Sequence, residues 1–162
     1  MTAAAPLPRS ADEQALLDAE LVELFERRIT FNQTLGLKIE SVRPGDVRAT
    51  FPMRPELIGH YAYGRLHGGV ISAALDAMGG LAAMVAIAQS HPHDNTQQVM
   101  HRFSRLGTID LRVDFLRQGL GRHFVATAEV TRLGGRVGSV QMRLVNDEGT
   151  LIATGAASYI VS

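Results

Sequence analysis

Residues 66–88 constrain the fold of this chain most strongly. They read LHGGV followed by ISAALDAMGGLAAMVAIA, an almost wholly apolar run in which Asp76 is the one carboxylate. The run has nearly the length of a membrane span. Its many Ala and Gly residues, its acid near the middle and its lack of flanking aromatic belts predict that it does not cross a membrane. A helix that is apolar on every side is instead typical of the centre of a protein core.

A central helix of this kind needs a curved sheet around it. Leu17, Leu21 and Leu24 have helical spacing and predict an extra N-terminal helix. Alternating apolar residues and turn signals predict about six strands, at 35–42, 47–53, 108–117, 123–131, 137–145 and 151–161. The last four are expected to form an antiparallel meander, and residues 89–106 a loop. The predicted fold class is therefore α+β, a long central helix wrapped by a curved antiparallel sheet.

Length and composition limit the number of domains and the classes of protein to which this chain can belong. The 162 residues fit one domain, which we place at residues 11–162 after a flexible tail at residues 1–10. The formal charge sums to zero, whereas proteins that bind nucleic acid usually carry a basic surplus. Cysteine is absent, which excludes disulfides and thiolate chemistry. No secretory signal is visible, so we expect a cytoplasmic protein. Because the charge is balanced, we also expect that it binds no nucleic acid.

Asp76 and the segment before the helix together indicate hydrolysis. A buried acid is costly unless it is paired or used, and the first amides of a helix are free donors that favour negative charge. Gly68 and Asp76 are about 12 Å apart along a helix, whereas reacting atoms must lie within roughly 3 to 3.5 Å. One copy can hardly supply both groups, but two copies related by a two-fold axis can. An arginine paired with Asp76 is the alternative, purely structural explanation.

Several motifs resemble those of the hotdog-fold acyl-CoA thioesterases of the PaaI-like superfamily. They are His67-Gly68-Gly69 with Asp76 following, Leu35-Gly36, Gly59-His60 and the sequence SRLGTIDLRVD at 104–114. The last three look like the bacterial YigI-type branch, described as medium- to long-chain acyl-CoA thioesterases. The resemblance covers roughly residues 20–161. It implies a hotdog fold, an acyl-CoA substrate of medium or long chain, and no metal or other cofactor. It also implies a homodimer or homotetramer with its active sites at the subunit interface.

The resemblance also implies catalytic roles for four residues. Asp76 serves as general base or as nucleophile. The N–H of Gly68 polarises the thioester carbonyl, and His67 supports that turn. Thr108 matches a position near the attacking water. Residues alone do not separate the two routes open to Asp76.

Five further residues are candidate substrate contacts. His60 stands where relatives of the YigI type carry an asparagine, and Gly69 would let a ligand approach the backbone. Arg117, Arg132 and Arg136 are candidates for binding the phosphates of coenzyme A, which need cationic partners. Solvated surface arginines are the alternative for each of these three.

Other motifs and other functions stay open at this point. His91-Pro92-His93-Asp94 has metal-ligand residue types but lies in a polar loop, and Gly134-Gly135 predicts a hairpin rather than a phosphate loop. The chain has no G-x-S-x-G motif, so a hydrolase triad of that type is unsupported. Aromatic acyl groups remain candidates for the substrate. A hydratase or dehydratase on the same fold, and a sensor that binds acyl-CoA without hydrolysing it, are the rival functions.

Overall fold

A computed structural model describes residues 7–162 of the chain; residues 1–6, which belong to the predicted tail, lie outside the described residues. The helices are α1 (Ala11–Glu23), α2 (Thr30–Leu35), α3 (Gly68–Ser90) and α4 (Thr96–Phe103). The strands are β1 (Lys38–Arg43), β2 (Asp46–Pro52), β3 (Ile58–His60), β4 (Arg65–Leu66), β5 (Gly107–Phe115), β6 (His123–Leu133), β7 (Val137–Asn146) and β8 (Leu151–Ile160). A π-helical turn (Leu24–Arg28) joins α1 to the segment before α2, and a 3-10 turn (Pro55–Leu57) precedes β3.

Six of the strands form one antiparallel sheet in the order β1-β2-β6-β7-β8-β5, and β3 and β4 form a separate small hairpin. The predicted four-strand meander is wrong in one respect, because β5 pairs with β8 and not with β6. The connection from β5 to β6 instead crosses the ends of β8 and β7. Leu116 N–H donates to the Ile152 carbonyl (2.9 Å), and Asn146 Nδ2 donates to the Leu120 carbonyl (2.9 Å). A short hairpin signal in the sequence does not reveal this crossing.

The sheet wraps α3, which packs against strands from one edge of the sheet to the other. Ala74, Leu75, Met78 and Leu81 are fully buried, as the apolar sequence of this helix predicts. The helix is also long and apolar enough to cross a membrane by length and composition alone. However, 67% of that stretch is buried inside the domain, which is the behaviour of a core helix. The predicted α+β architecture, with its central helix and extra N-terminal helix, is therefore present.

Two segments differ from their predicted structure. The strand expected to begin at Leu35 starts later, because residues 30–35 form α2 and Gly36 ends that helix in the left-handed conformation (φ 74°). The segment 89–106, expected to be a loop, contains α4. That helix begins with a capping box in which the Asn95 side chain accepts from Gln98 N–H and the Gln98 side chain accepts from Asn95 N–H. Its polar sequence hides a short apolar side formed by Val99 and Phe103, both buried.

The start of the described chain is tied to the end of α3. The guanidinium of Arg9 donates to the backbone carbonyls of Ala88, His91 and Asp94 at 2.7 to 2.8 Å. Ser10 caps α1 by accepting from Glu13 N–H (3.2 Å). The Glu13 carboxylate accepts from Thr96 N–H (2.6 Å) at the start of α4.

Strand β5 is an edge of the sheet. Its Ile109 and Phe115 side chains are 57% and 55% exposed, although the sequence alternates apolar and polar residues along the strand. Leu111 and Val113 are half-buried. The apolar surface of this edge strand is therefore only partly covered within one copy of the chain.

Candidate active site

Asp76 lies where the middle of α3 meets the start of β5 and the end of β8. Its Oδ1 accepts hydrogen bonds from Thr108 Oγ1 (2.9 Å) and from the Tyr159 hydroxyl (3.0 Å). Its Oδ2 accepts none from residues 7–162, and the side chain is half-buried. No arginine pairs with it in this described part of the chain. Neutral donors thus hold one carboxylate oxygen and leave the other open.

The sequence did not point to Tyr159, which is the second donor. Its side chain is 2% exposed, and its one hydroxyl hydrogen is shared between Asp76 Oδ1 and the backbone carbonyl of Asp76 (2.9 Å). Burial, the negative charge of Asp76 and this hydrogen bonding raise the pKa of Tyr159 far above its usual value. The hydroxyl therefore remains a donor at neutral pH. A lone tyrosine in the small-residue strand ATGAASYI was the available signal, because a buried tyrosine hydroxyl usually has a partner.

Gly79 makes room for the tyrosine. A Cβ atom on this residue would lie 2.9 Å from Tyr159 Cζ, closer than real side chains approach. This explains why a costly glycine occurs within α3. The neighbouring Gly80 has only ordinary van der Waals surroundings and lines the cleft beside Asp76. Of these two helix glycines, one permits close packing and the other leaves open space.

His67 builds the start of α3. Its Nδ1 accepts from Gly69 N–H (2.8 Å), and its backbone carbonyl accepts from Val70 and Ile71 N–H. The N–H of Gly69 is therefore occupied and is not free for a ligand. The N–H of Gly68 has no acceptor among the described residues. This leaves Gly68 as the free donor of the first turn, at the positive end of the helix dipole.

Gly68 and Asp76 are far apart within one copy. They belong to the same regular helix, so about 12 Å of helix axis separates them. Phe115, at the exposed end of β5, lies beside Gly68 and away from Thr108 at the other end of that strand. The sequence-predicted acid and amide are thus present but are not brought together by the fold of a single chain.

His60 lies outside the cleft that contains Asp76. It ends β3, and its ring stacks on that of Tyr61 (centroid distance 5.5 Å) and contacts that of Tyr63 in a tilted arrangement (4.6 Å). Tyr61 is 96% exposed. The small β3–β4 hairpin thus presents an aromatic surface near the start of α3. Gly59 in β3 packs directly against His67, and a Cβ atom there would collide with the His67 backbone.

The three candidate arginines lie at two ends of the sheet. Arg117 follows β5 and donates to the Leu151 carbonyl (3.1 Å). Arg132 and Arg136 lie at the opposite end, at and just after the end of β6. All three are exposed. Within one copy they cannot form a single phosphate site.

An open cleft of about 300 Å³ lies beside Asp76, Thr108 and Tyr159. Most of its lining is apolar and comes from the π-helical turn, the segment around α2, α3 and the residue before β5: Phe25, Ile29, Phe31, Ala73, Ala77, Met84 and Leu106. Asn32 is the remaining polar residue of this wall. The arrangement can place an apolar group against a carboxylate that has one free oxygen.

A larger cavity, of about 1160 Å³, lies at the far end of α3 between α4 and the β6–β7 turn. It is lined by residues such as His91, Arg102 and Arg105 and contains none of the residues around Asp76. The His91–Asp94 motif borders it. No group of three histidine or acidic side chains suited to a metal ion occurs in residues 7–162. The smaller cleft, where the carboxylate and its donors meet, is therefore the candidate active site.

The chain is similar to known proteins over most of its length. Residues 63–153, which include α3 and most of the sheet, match the family model described as the thioesterase superfamily. The chain is 39% identical over 150 residues to the medium/long-chain acyl-CoA thioesterase YigI of Escherichia coli K12, covering 92% of this chain and 95% of that protein.

Solved structures show the same fold. A Shewanella oneidensis protein related to the thioesterase superfamily is 38% identical, with a TM-score of 0.87 over 94% of this chain and all of that chain. A thioesterase family protein from Silicibacter pomeroyi is 25% identical, with a TM-score of 0.68 over 88% of this chain and 96% of that one. The predicted hotdog fold is confirmed. The chain belongs to the thioesterase superfamily and is an enzyme of the thioester-hydrolase class.

Proposed function

We propose that this protein hydrolyses acyl-CoA thioesters that carry a medium- or long-chain acyl group, releasing the free acid and CoA. The observation that carries the proposal is Asp76, which lines an apolar cleft and whose Oδ1 is held by two donors, while its Oδ2 has no hydrogen-bond partner among the described residues. The name of the Escherichia coli relative supports this substrate class. The apolar wall around Phe31 and Met84 suits an acyl chain, and an aromatic acyl group is the further candidate.

In the proposed reaction, Asp76 acts on water. Its free Oδ2 takes a proton while the water oxygen attacks the thioester carbon, and the bond from that carbon to sulfur then breaks. The thiolate of CoA leaves and takes up a proton. General-base catalysis contributes typically about 10²–10⁴-fold. Thr108 and Tyr159 hold the carboxylate in place. In the second route Asp76 attacks directly and forms an anhydride that water then hydrolyses.

The oxyanion donor in this proposal is the N–H of Gly68 from a second copy. It is the free amide of the first turn of α3, and such a donor contributes typically about 10²–10³-fold. The 12 Å separation along α3 keeps the Gly68 and Asp76 of one copy from acting on one thioester. The partly uncovered edge strand β5, with exposed Ile109 and Phe115, supports a homodimer whose subunits meet there. We therefore place the active sites at a subunit interface.

Release of CoA from a panel of acyl-CoAs tests the proposal. Short, medium, long and aromatic acyl groups are compared with wild type, Asp76→Asn and, as a matched control, the exposed Asp12→Asn. We expect Asp76→Asn to lose at least about 10²-fold in kcat/KM, with its fold and oligomeric state unchanged, and Asp12→Asn to retain full activity. A covalent acyl adduct on Asp76, sought by mass spectrometry after rapid quenching, distinguishes the anhydride route.

Two outcomes would contradict the proposal. Equal turnover by wild type and Asp76→Asn would exclude this carboxylate from the chemistry. Saturable acyl-CoA binding without release of CoA by wild type would identify a sensor instead of an enzyme acting on this substrate class.

A further inference from the structure

Asn32 is a buried polar residue that the proposed reaction does not use. It lies in α2, is 3% exposed, and lines the same cleft as Asp76. Its side-chain nitrogen, Nδ2, has no hydrogen-bond acceptor among residues 7–162. A buried amide without a partner is destabilising. Such a group at the wall of a catalytic cleft points to an acceptor that arrives with a ligand.

The fold itself gives no reason for an amide at this position. The backbone N–H of Asn32 donates to the Ile29 carbonyl (3.0 Å), and its own carbonyl accepts from Leu37 N–H (3.1 Å). Any residue type except proline can make these two bonds. The surrounding wall is apolar, formed among others by Phe25 and Leu106, so a leucine would fill the same space without an unpaired donor.

The other polar groups near the thioester already have partners or roles. The donors Thr108 and Tyr159 are directed at Asp76 Oδ1, and in the proposed function Gly68 polarises the thioester oxygen. The donor of Asn32 is left over, on the wall that would hold the acyl chain. The terminal torsion of an asparagine side chain is soft, so the amide can turn toward a bound group. An unsubstituted acyl chain offers it no acceptor, whereas a hydroxyl or oxo oxygen on the chain does.

We propose that Asn32 determines acyl specificity, and that its side-chain amide donates a hydrogen bond to an oxygen substituent on the acyl chain close to the thioester. The preferred substrates are then 3-hydroxyacyl- or 3-oxoacyl-CoAs and not the unsubstituted acyl-CoAs of equal length. This inference rests on the proposed function. Sites built to hydrogen-bond a substrate oxygen discriminate strongly against analogues that lack it, because the buried protein group then stays unpaired.

Matched substrates test the inference. Values of kcat/KM are measured for 3-hydroxyacyl-, 3-oxoacyl- and unsubstituted acyl-CoAs of one chain length, with wild type and Asn32→Leu. We expect wild type to favour at least one oxygenated substrate by about tenfold or more. In Asn32→Leu the kcat/KM for the oxygenated substrate should fall about tenfold or more, mainly through a higher KM. The kcat/KM for the unsubstituted substrate should equal or exceed that of wild type.

The control is Asn95→Leu, which changes the same residue type at the start of α4, outside the cleft. It should leave the ratio of oxygenated to unsubstituted substrates unchanged. A wild-type ratio near one, or an equal loss on both substrates in Asn32→Leu, would overturn the inference. The wild-type ratio needs no variant, so a misfolded Asn32→Leu does not block the test. Absence of CoA release from every acyl-CoA would instead overturn the proposed function and this inference with it.

Discussion

At the scale of single residues, the contact between Tyr159 and Asp76 joins two positions 83 residues apart in sequence. The phenol ring is buried and its hydroxyl reaches both the carboxylate and the carbonyl of the same aspartate. It therefore fixes the side chain relative to its own helix backbone. Thr108 adds a second donor from another strand, so the orientation of Asp76 depends on α3, β5 and β8 together.

Replacing Tyr159 by phenylalanine should lower both activity and stability. We expect kcat to fall about tenfold or more as Asp76 loses a positioning donor. Hydrogen bonds to charged groups contribute about 1.5–3 kcal/mol to stability, so the free energy of unfolding should fall by up to about that amount, although the buried ring remains. Steady-state kinetics and urea denaturation measure the two effects. Tyr61→Phe, at a 96% exposed tyrosine, is the control and should change neither.

The raised pKa of Tyr159 predicts how stability depends on alkaline pH. In the unfolded chain a tyrosine ionises near pH 10, whereas in the folded protein burial and Asp76 keep the phenol protonated at higher pH. The folded state therefore binds more protons above about pH 10, and the free energy of unfolding should fall as pH rises through that range. Below it, the contribution of Tyr159 is fully present.

Urea denaturation at pH 8 to 11 tests this dependence. Wild type should lose stability above about pH 10 more steeply than Tyr159→Phe. Parallel curves for the two proteins would show that Tyr159 ionises alike in the folded and unfolded states.

At this scale, the residues that could be predicted from the sequence are those of one local motif. Asp76, Gly68 and His67 lie within ten residues of one another, and the structure gives His67 the helix-capping position and leaves the Gly68 amide free. Thr108 was expected near the reaction and does contact Asp76. Tyr159 and Asn32 were missed, because their significance depends on contacts made only after distant parts of the chain have packed together.

At the scale of elements, α3 is defined by its small residues as much as by its apolar ones. Gly79 accommodates the tyrosine of β8, and Gly80 leaves part of the cleft open. These two adjacent glycines therefore give opposite expectations for the same substitution.

Gly79→Ala should destabilise the protein by about 1–3 kcal/mol, because the added methyl group meets the Tyr159 ring in a packed core. Gly80→Ala should stabilise it by up to about 1 kcal/mol, because alanine favours a helix and the nearest side-chain atom to its Cβ, in Leu106, is 3.9 Å away. Chemical denaturation of both variants measures the difference. Equal changes in the two would show that Tyr159 does not pack against Gly79 as described.

Strongly periodic elements could be predicted, whereas short polar ones could not. The central helix, the N-terminal helix and the long strands follow from their apolar spacing. Helix α4 was missed because only Val99, Met100 and Phe103 of its residues 96–103 are apolar, and its capping residues Asn95 and Gln98 look like a polar loop. The pairing of β5 with β8 was missed because strand order depends on where a connection crosses, and the seven residues 116–122 carry no local sign of it.

At the scale of the whole molecule, the separation of Gly68 and Asp76 makes a site shared between subunits testable. Gly68→Pro removes the free N–H at the first helical position, where proline is well tolerated. The preceding His67 has the extended backbone (φ −66°, ψ 139°) that proline requires of its neighbour. Each single variant, Gly68→Pro or Asp76→Asn, should be nearly inactive alone.

Co-expression of the two variants should restore activity. In a mixed dimer the Asp76 of one chain faces the Gly68 of the other at one intact site, so about a quarter of wild-type activity should return at equal expression. Co-expression of Asp76→Asn with itself is the control. No recovery, despite mixed dimers seen by mass spectrometry, would show that both groups act within one chain.

The attachment of Arg9 and Glu13 to partners near residues 88–96 has a consequence for biosynthesis. Glu13 and Thr96 are 83 residues apart, and a ribosome that adds about 5–20 residues per second needs roughly 4 to 17 s to make that stretch. A single helix of 13 residues is marginal in water. Helix α1 is therefore synthesised before its packing partners. Leu17 and Leu21 stay exposed to solvent until α3 and the start of α4 have been translated. A nascent chain stalled before residue 96 should accordingly be degraded by added protease from its N-terminal end, and one stalled well beyond it should resist.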